Sequence, residues 1–165
     1  PWGKGGHVAD LFAATARGLS QRGLMRVFVE MDSDADAPLL VEIGKRLGGK
    51  APEIKNLEHP RTVQQRMARM DAVIAMRLHA AVLAANEGVL PYLVSYDPKV
   101  AALAPALGLD APVRVEGLTS TNLVEGFVAF MAQAPKLVRQ IEARVAAQRE
   151  AAVRNLEALE RAFAG

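Results

Sequence analysis

Apolar positions along this chain keep two rhythms, and the rhythms take turns. Val8, Leu11, Phe12 and Leu19 recur at helical spacing and predict a helix over His7–Arg22, closed by Gly23. Met25–Met31 (MRVFVEM) reads as a strand. Asp32-Ser33-Asp34 can cap a helix over Ala37–Leu47, which Gly48-Gly49 ends. Ile54–Leu57 is a weak strand, and Pro60 suits the first turn of a helix running to Arg69. Asp71–Met76 reads as a strand and Leu78–Glu87 as a helix. Val89–Ser95 is the next strand, although Pro91 within it argues against a central position. Asp97 as cap and Pro98 in the first turn start a helix to Leu107. Pro112–Val115 is a last short strand. Thr119-Ser120-Thr121 introduces a helix over Asn122–Ala132, Pro135 interrupts it, and a long helix then runs to Phe163.

Strands alternating with helices predict an α/β fold. The expectation is a Rossmann-like parallel sheet with helices on both faces and a long C-terminal helix. Right-handed crossovers would bring the carboxyl ends of all strands to one edge, where such sheets bind their ligands. We expect a single domain over residues 1–165, with the α/β core at about 1–132 and the terminal helix at about 136–163. In that helix Leu137, Ile141, Val145, Val153, Leu156 and Leu159 alternate with Arg and Glu. It could pack on the sheet, on another domain or on another subunit; packing within the same protein is the plainer reading. The loop-like start, followed at once by a helix, resembles a βα unit without its strand. That suggests the second half of a larger protein.

Composition narrows the classes. The chain has 165 residues, enough for one domain with a sizeable core. Twenty basic and 18 acidic side chains leave a net charge of +2, too balanced to point to nucleic acid. There is no cysteine, which removes disulfides and thiolate metal sites. No apolar run reaches membrane-spanning length and no signal peptide is visible, so a soluble chain is expected.

The chemistry-bearing residues concentrate at two predicted strand-to-helix junctions. Arg77 and His79 open one helix. There the backbone amides and the helix dipole already favour an anion. Arginine adds a two-pronged fork for carboxylate or phosphate, and histidine a proton donor or acceptor near neutral pH. The plain alternative is that Arg77 pairs with an acid such as Asp71 and that His79 is half-buried. Tyr96, Asp97 and Lys99 form the second junction. Asp97 reads first as a helix cap. Lys99 occupies a first helical turn, an unfavourable place for a cation unless an anion sits there. Tyr96 could bind a ligand or close the loop.

Gly3-Lys4-Gly5-Gly6-His7 is a third candidate, with Lys4 at its centre. Glycines let backbone approach phosphate closely, but the motif is neither a P-loop nor a dinucleotide fingerprint, and a flexible loop explains it equally well. Glu30, Asp32, Asp34 and Asp36 crowd another strand end; capping explains them better than a metal. His7, His59 and His79 lack metal-ligand spacing, and no nucleophile elbow is present. No metal and no cofactor is expected.

The stretches Asp71–Ala80 (DAVIAMRLHA), Gly88–Pro91 (GVLP) and Ser95–Val100 (SYDPKV) together resemble the polysaccharide pyruvyl transferase family. The likeness is strongest to bacterial cell-wall enzymes that attach ketal pyruvate to N-acetylmannosamine, a modification tied to S-layer anchoring. The turn at Pro1-Trp2 also resembles that family's carboxyl-terminal domain, and the likeness extends roughly from Pro1 to Phe130. It implies one half of a GT-B-like fold of two Rossmann-like domains facing across a cleft. It implies transfer of pyruvyl from phosphoenolpyruvate to sugar hydroxyls with release of phosphate. In that setting His79 is the general acid or base, and Arg77, Lys99, Tyr96, Asp97 and Lys4 contact the substrate. The acceptor would be an N-acetylmannosamine-containing glycan, lipid-linked in some forms. The enzyme would then be cytoplasmic, at the inner membrane face, with homo-oligomers open. A domain lacking the facing half would be inactive or nearly so. Two other readings remain at this level: a GT-B glycosyltransferase half that binds a nucleotide-sugar, and an assembly module acting through its terminal helix.

Overall fold

The computed structural model describes residues 5–49, 53–54, 59–96 and 98–163. In chain order the elements are α1 (Gly5–Gln21), β1 (Phe28–Val29), α2 (Ser33–Arg46), β2 (Glu53–Ile54), α3 (Pro60–Met67) and β3 (Ala72–Ala75). Then follow α4 (Leu78–Asn86), β4 (Leu90–Ser95), α5 (Pro98–Leu107), β5 (Val113–Arg114), α6 (Ser120–Met131) and α7 (Ala134–Phe163). The fold is α/β with parallel strands, flanking helices and a long C-terminal helix. Two compact units make it up: residues 1–66 with 113–132, and residues 67–112 with 133–165.

In the first unit β1 and β2 pair in parallel, Phe28 opposite Glu53 and Val29 opposite Ile54. Ala9 and Ala13 of α1 pack against Leu40 and Ile43 of α2, with Phe12, Phe28, Leu39 and Leu47 closing around them. Small alanines let the two helices approach closely. Arg46 ties the same pair from outside, its Nε donating to Asp10 of α1 at 2.5 Å, while its Nη1 donates to Glu42 of its own helix at 2.8 Å. On another side α1 meets α6 at Gly18, where a Cβ would lie 3.0 Å from Val124 Cγ2. Leu123, Val124 and Phe127 are buried along that helix.

In the second unit β3 and β4 run parallel, from Ala72 opposite Leu90 to Ala75 opposite Leu93. All six residues of β4 are buried, beneath α4, α5 and α7. Pro91 therefore does not push the strand to the surface: it costs β4 one amide donor near its start, and its ring joins the core. Tyr92 is buried there too, and burial pushes its phenol pKa up. The first half of α7 buries Leu137, Ile141 and Val145. Its side chains also latch the carboxyl ends of the neighbouring helices. Gln140 donates to the Gly108 carbonyl, Gln148 to that of Ala106 (3.1 Å) and Arg149 to that of Asn86 (2.9 Å). Gly108 has φ +70°, and a Cβ there would stand 2.7 Å from Gln140, so this turn requires glycine. Beyond Arg149 the stripe Val153, Leu156 and Leu159 is exposed.

Several boundaries differ from the sequence expectation. Among the described residues the strand read over Met25–Met31 pairs at Phe28–Val29, the Glu30 amide donates to the Ile54 carbonyl at 3.2 Å, and Met25 is 99% exposed. Gly5, Gly6 and His7 form the first turn of α1 rather than a loop ahead of it. The start of α2 falls at Ser33, earlier than Ala37, because Asp32 caps it; that of α6 falls at Ser120 because Thr119 does. Pro135 lies in the first turn of α7, where proline is tolerated. Residues 55–57 of the weak strand lie outside the described residues.

Candidate active site

The parallel register of β3 and β4 brings their carboxyl ends side by side, about 4.8 Å apart at the backbone. Each strand then turns directly into a helix. After β3 come Met76 and Arg77, and α4 begins at Leu78; after β4 come Tyr96 and the start of α5 at Pro98. Arg77, His79, Tyr96 and Lys99 are thereby gathered on one edge of the second unit. His79 and Lys99 are exposed; Arg77 and Tyr96 are partly buried, and Ser95 at the end of β4 is buried. Ser95 was legible only as part of its polar cluster. Two further candidates, Asp97 and Lys4, lie outside the described residues.

The start of α4 is electrostatically unusual. Its N-cap position is occupied by Arg77 (φ −103°, ψ 133°), whose side chain caps nothing, and its first turn holds no acid. A helix normally closes this end with an oxygen from Ser, Thr, Asp or Asn. A cation there opposes the dipole by roughly 0.3–1 kcal/mol. The first turn of α5 holds Lys99 and likewise no acid. Two adjacent helix starts carrying cations form a field suited to a small dianion, with His79 exposed beside it.

The other acid-rich strand end is accounted for structurally. Asp32 Oδ1 accepts from the amides of Asp34 (3.2 Å) and Ala35 (3.1 Å). Asp36 Oδ2 accepts from those of Met31 and Asp32, both at 3.1 Å. Among the described residues no three His, Asp or Glu side chains gather as a cation site. Among them also, no helix is long and apolar enough to cross a membrane.

The sequence pattern of the polysaccharide pyruvyl transferase family matches residues 9–98, more than half of the chain. This chain belongs to that family. The matched stretch runs from within α1 to the first residue of α5 and so includes Arg77, His79, Tyr96 and Asp97. Lys99 falls one residue beyond it, and Lys4 precedes it. Membership supports polysaccharide pyruvyl transfer as the general activity class. No curated protein and no solved structure matches the chain.

Sequence reasoning missed one group of residues. Arg17 and Arg22 at the end of α1 line a groove with Ser120 and Thr121 of α6. About a hundred positions separate the two sets, so no local motif connects them.

Proposed function

We propose that the edge formed by Arg77, His79, Tyr96 and Lys99 binds phosphoenolpyruvate and transfers its pyruvyl group to a sugar diol. The observation that carries this reading is the pair of cations at the starts of α4 and α5, where neither first turn holds an acid. Phosphoenolpyruvate brings a phosphate and a carboxylate on one three-carbon frame. Arg77 can grip one of them in a bidentate fork, and Lys99 can neutralise the other as a point charge. Tyr96 supplies a hydroxyl to the same ligand, and the family resemblance adds Asp97 and Lys4 as substrate contacts.

His79 then acts as general acid. Its proton goes to the methylene carbon of the enol, which becomes a methyl group, and positive charge develops at C2. A sugar hydroxyl attacks C2 and gives its proton back to His79. A second hydroxyl then displaces phosphate by breaking the C2–O bond, and its proton leaves with the phosphate. The ketal and inorganic phosphate are the products, and the protons balance. The acceptor in this reading is a cell-wall glycan containing N-acetylmannosamine, lipid-linked and handled at the cytoplasmic membrane face. This chain supplies one wall of the cleft, so alone it turns over little.

The test is acceptor-dependent phosphate release from phosphoenolpyruvate by the full-length protein. Release that requires both substrates supports the reading. No release, with a uridine diphosphate sugar consumed instead, would move the assignment to glycosyl transfer.

A further inference from the structure

The first unit carries a second basic concavity. A groove of about 550 Å³ runs between α1 and α6, lined by Ala14, Arg17, Gly18 and Gln21 on one side and Ser120 and Val124 on the other. Arg22 and Thr121 also line it. The close approach at Gly18 and Val124 sets its floor. No lining side chain is acidic. Arg17 Nη1 donates to the Arg46 carbonyl at 2.9 Å. Arg17 and Arg22 place two cations at the carboxyl end of α1, where they offset the negative pole of the helix.

From the other wall comes the start of α6. Thr119 accepts the amide of Asn122 at 3.1 Å, so the cap serves the third residue of the helix. The amides of Ser120 and Thr121 belong to the set that a helix cannot satisfy internally. Their hydroxyls and the Gln21 amide add neutral donors and acceptors. Guanidiniums suit phosphate oxygens, and hydroxyl and amide groups suit sugar hydroxyls. The groove has the size of a small-ligand site, larger than an inorganic ion needs.

We infer that the groove between α1 and α6 binds a phosphorylated sugar, with Arg17 and Arg22 on the phosphate and Gln21, Ser120 and Thr121 on the sugar. This site is separate from the phosphoenolpyruvate edge and does not depend on it.

Glucose 1-phosphate is the probe, followed by amide chemical shifts in the whole chain, with glucose and inorganic phosphate as controls. Saturable shifts centred on Ser120 and Thr121 are expected, with glucose 1-phosphate binding tighter than either control. Arg22→Ala should weaken binding by about tenfold, the scale for losing a charge-assisted hydrogen bond. Thr121→Glu, which adds an acid on an exposed first turn, should abolish it. Arg77→Ala should leave it unchanged, which separates this site from the pyruvyl-transfer reading. Unmoved Ser120 and Thr121 signals, wild-type affinity in Arg22→Ala, or equal affinity for phosphate and glucose 1-phosphate (an adventitious ion only) would each overturn the proposal.

Discussion

The helices α2 and α4 occupy the same kind of place, each following a short strand that pairs in parallel with a neighbour, yet their starts are opposites. At α2 the chain closes its own positive end: Asp32 caps two amides, Asp36 takes two more, and Asp34 adds charge to the first turn. At α4 the cap position holds Arg77, whose side chain caps no amide, the first turn holds no acid, and His79 stands in that turn. One end is satisfied from within and contributes stability. The other carries a cation at its cap and no acid in its first turn, a setting that favours an anionic ligand. A motif search sees polar clusters at both; only the sign of the residues at the cap tells them apart.

The contrast can be broken by substitution, beginning where the effect is largest. His79→Ala should lower turnover of the full-length protein by at least about 10²-fold with the melting temperature kept. Turnover near normal removes His79 from the mechanism. Arg77→Asp gives α4 the kind of start α2 has, and should weaken phosphoenolpyruvate by more than about tenfold without lowering the melting temperature. A fall in melting temperature with affinity intact would make Arg77 a structural residue and erase the contrast. Lys99→Ala should weaken phosphoenolpyruvate by about tenfold and the sugar acceptor less, read by titrating each substrate separately. Equal losses argue against an anchoring role.

On the α2 side the signature is reversed. Asp32→Ala should cost about 1 kcal/mol in denaturant unfolding and leave phosphoenolpyruvate affinity alone. The smallest effect concerns pH. Glu42 accepts from Lys45 and then Arg46, which hold its carboxyl below the ordinary carboxylate value. A lowered folded pKa means that the added stability is present above the unfolded value and is lost as the pH falls through the folded one. The melting-temperature gap between wild type and Glu42→Gln should therefore close on acidification, and shrink in salt because the pair is exposed. A gap that persists in acid would assign it to packing.

Much of this architecture was legible, and the reasons are local. Pro98 presets the first turn of α5 and Gly108 the turn after it, so both ends fell where the sequence put them. The α4 start was legible because Arg77 and His79 follow an apolar run directly. Strand β1 was overread because Leu24, Met25 and Val27 look like strand residues, and only a partner ladder decides whether they are. The starts of α2 and α6 shifted towards their caps, since Asp32 and Thr119 fix the boundary more firmly than apolar spacing does. The groove between α1 and α6 was invisible because it exists only once Gly18 meets Val124.

Tyr92 lies within the fully buried β4, and its raised pKa gives the molecule a built-in optical gauge. A neutral phenol favoured by the fold supports the native state at ordinary pH and ceases to do so as the pH climbs through its folded value. In a Tyr96→Phe background, the near-ultraviolet band of that phenolate would then track the opening of the second unit in alkali, with no label attached.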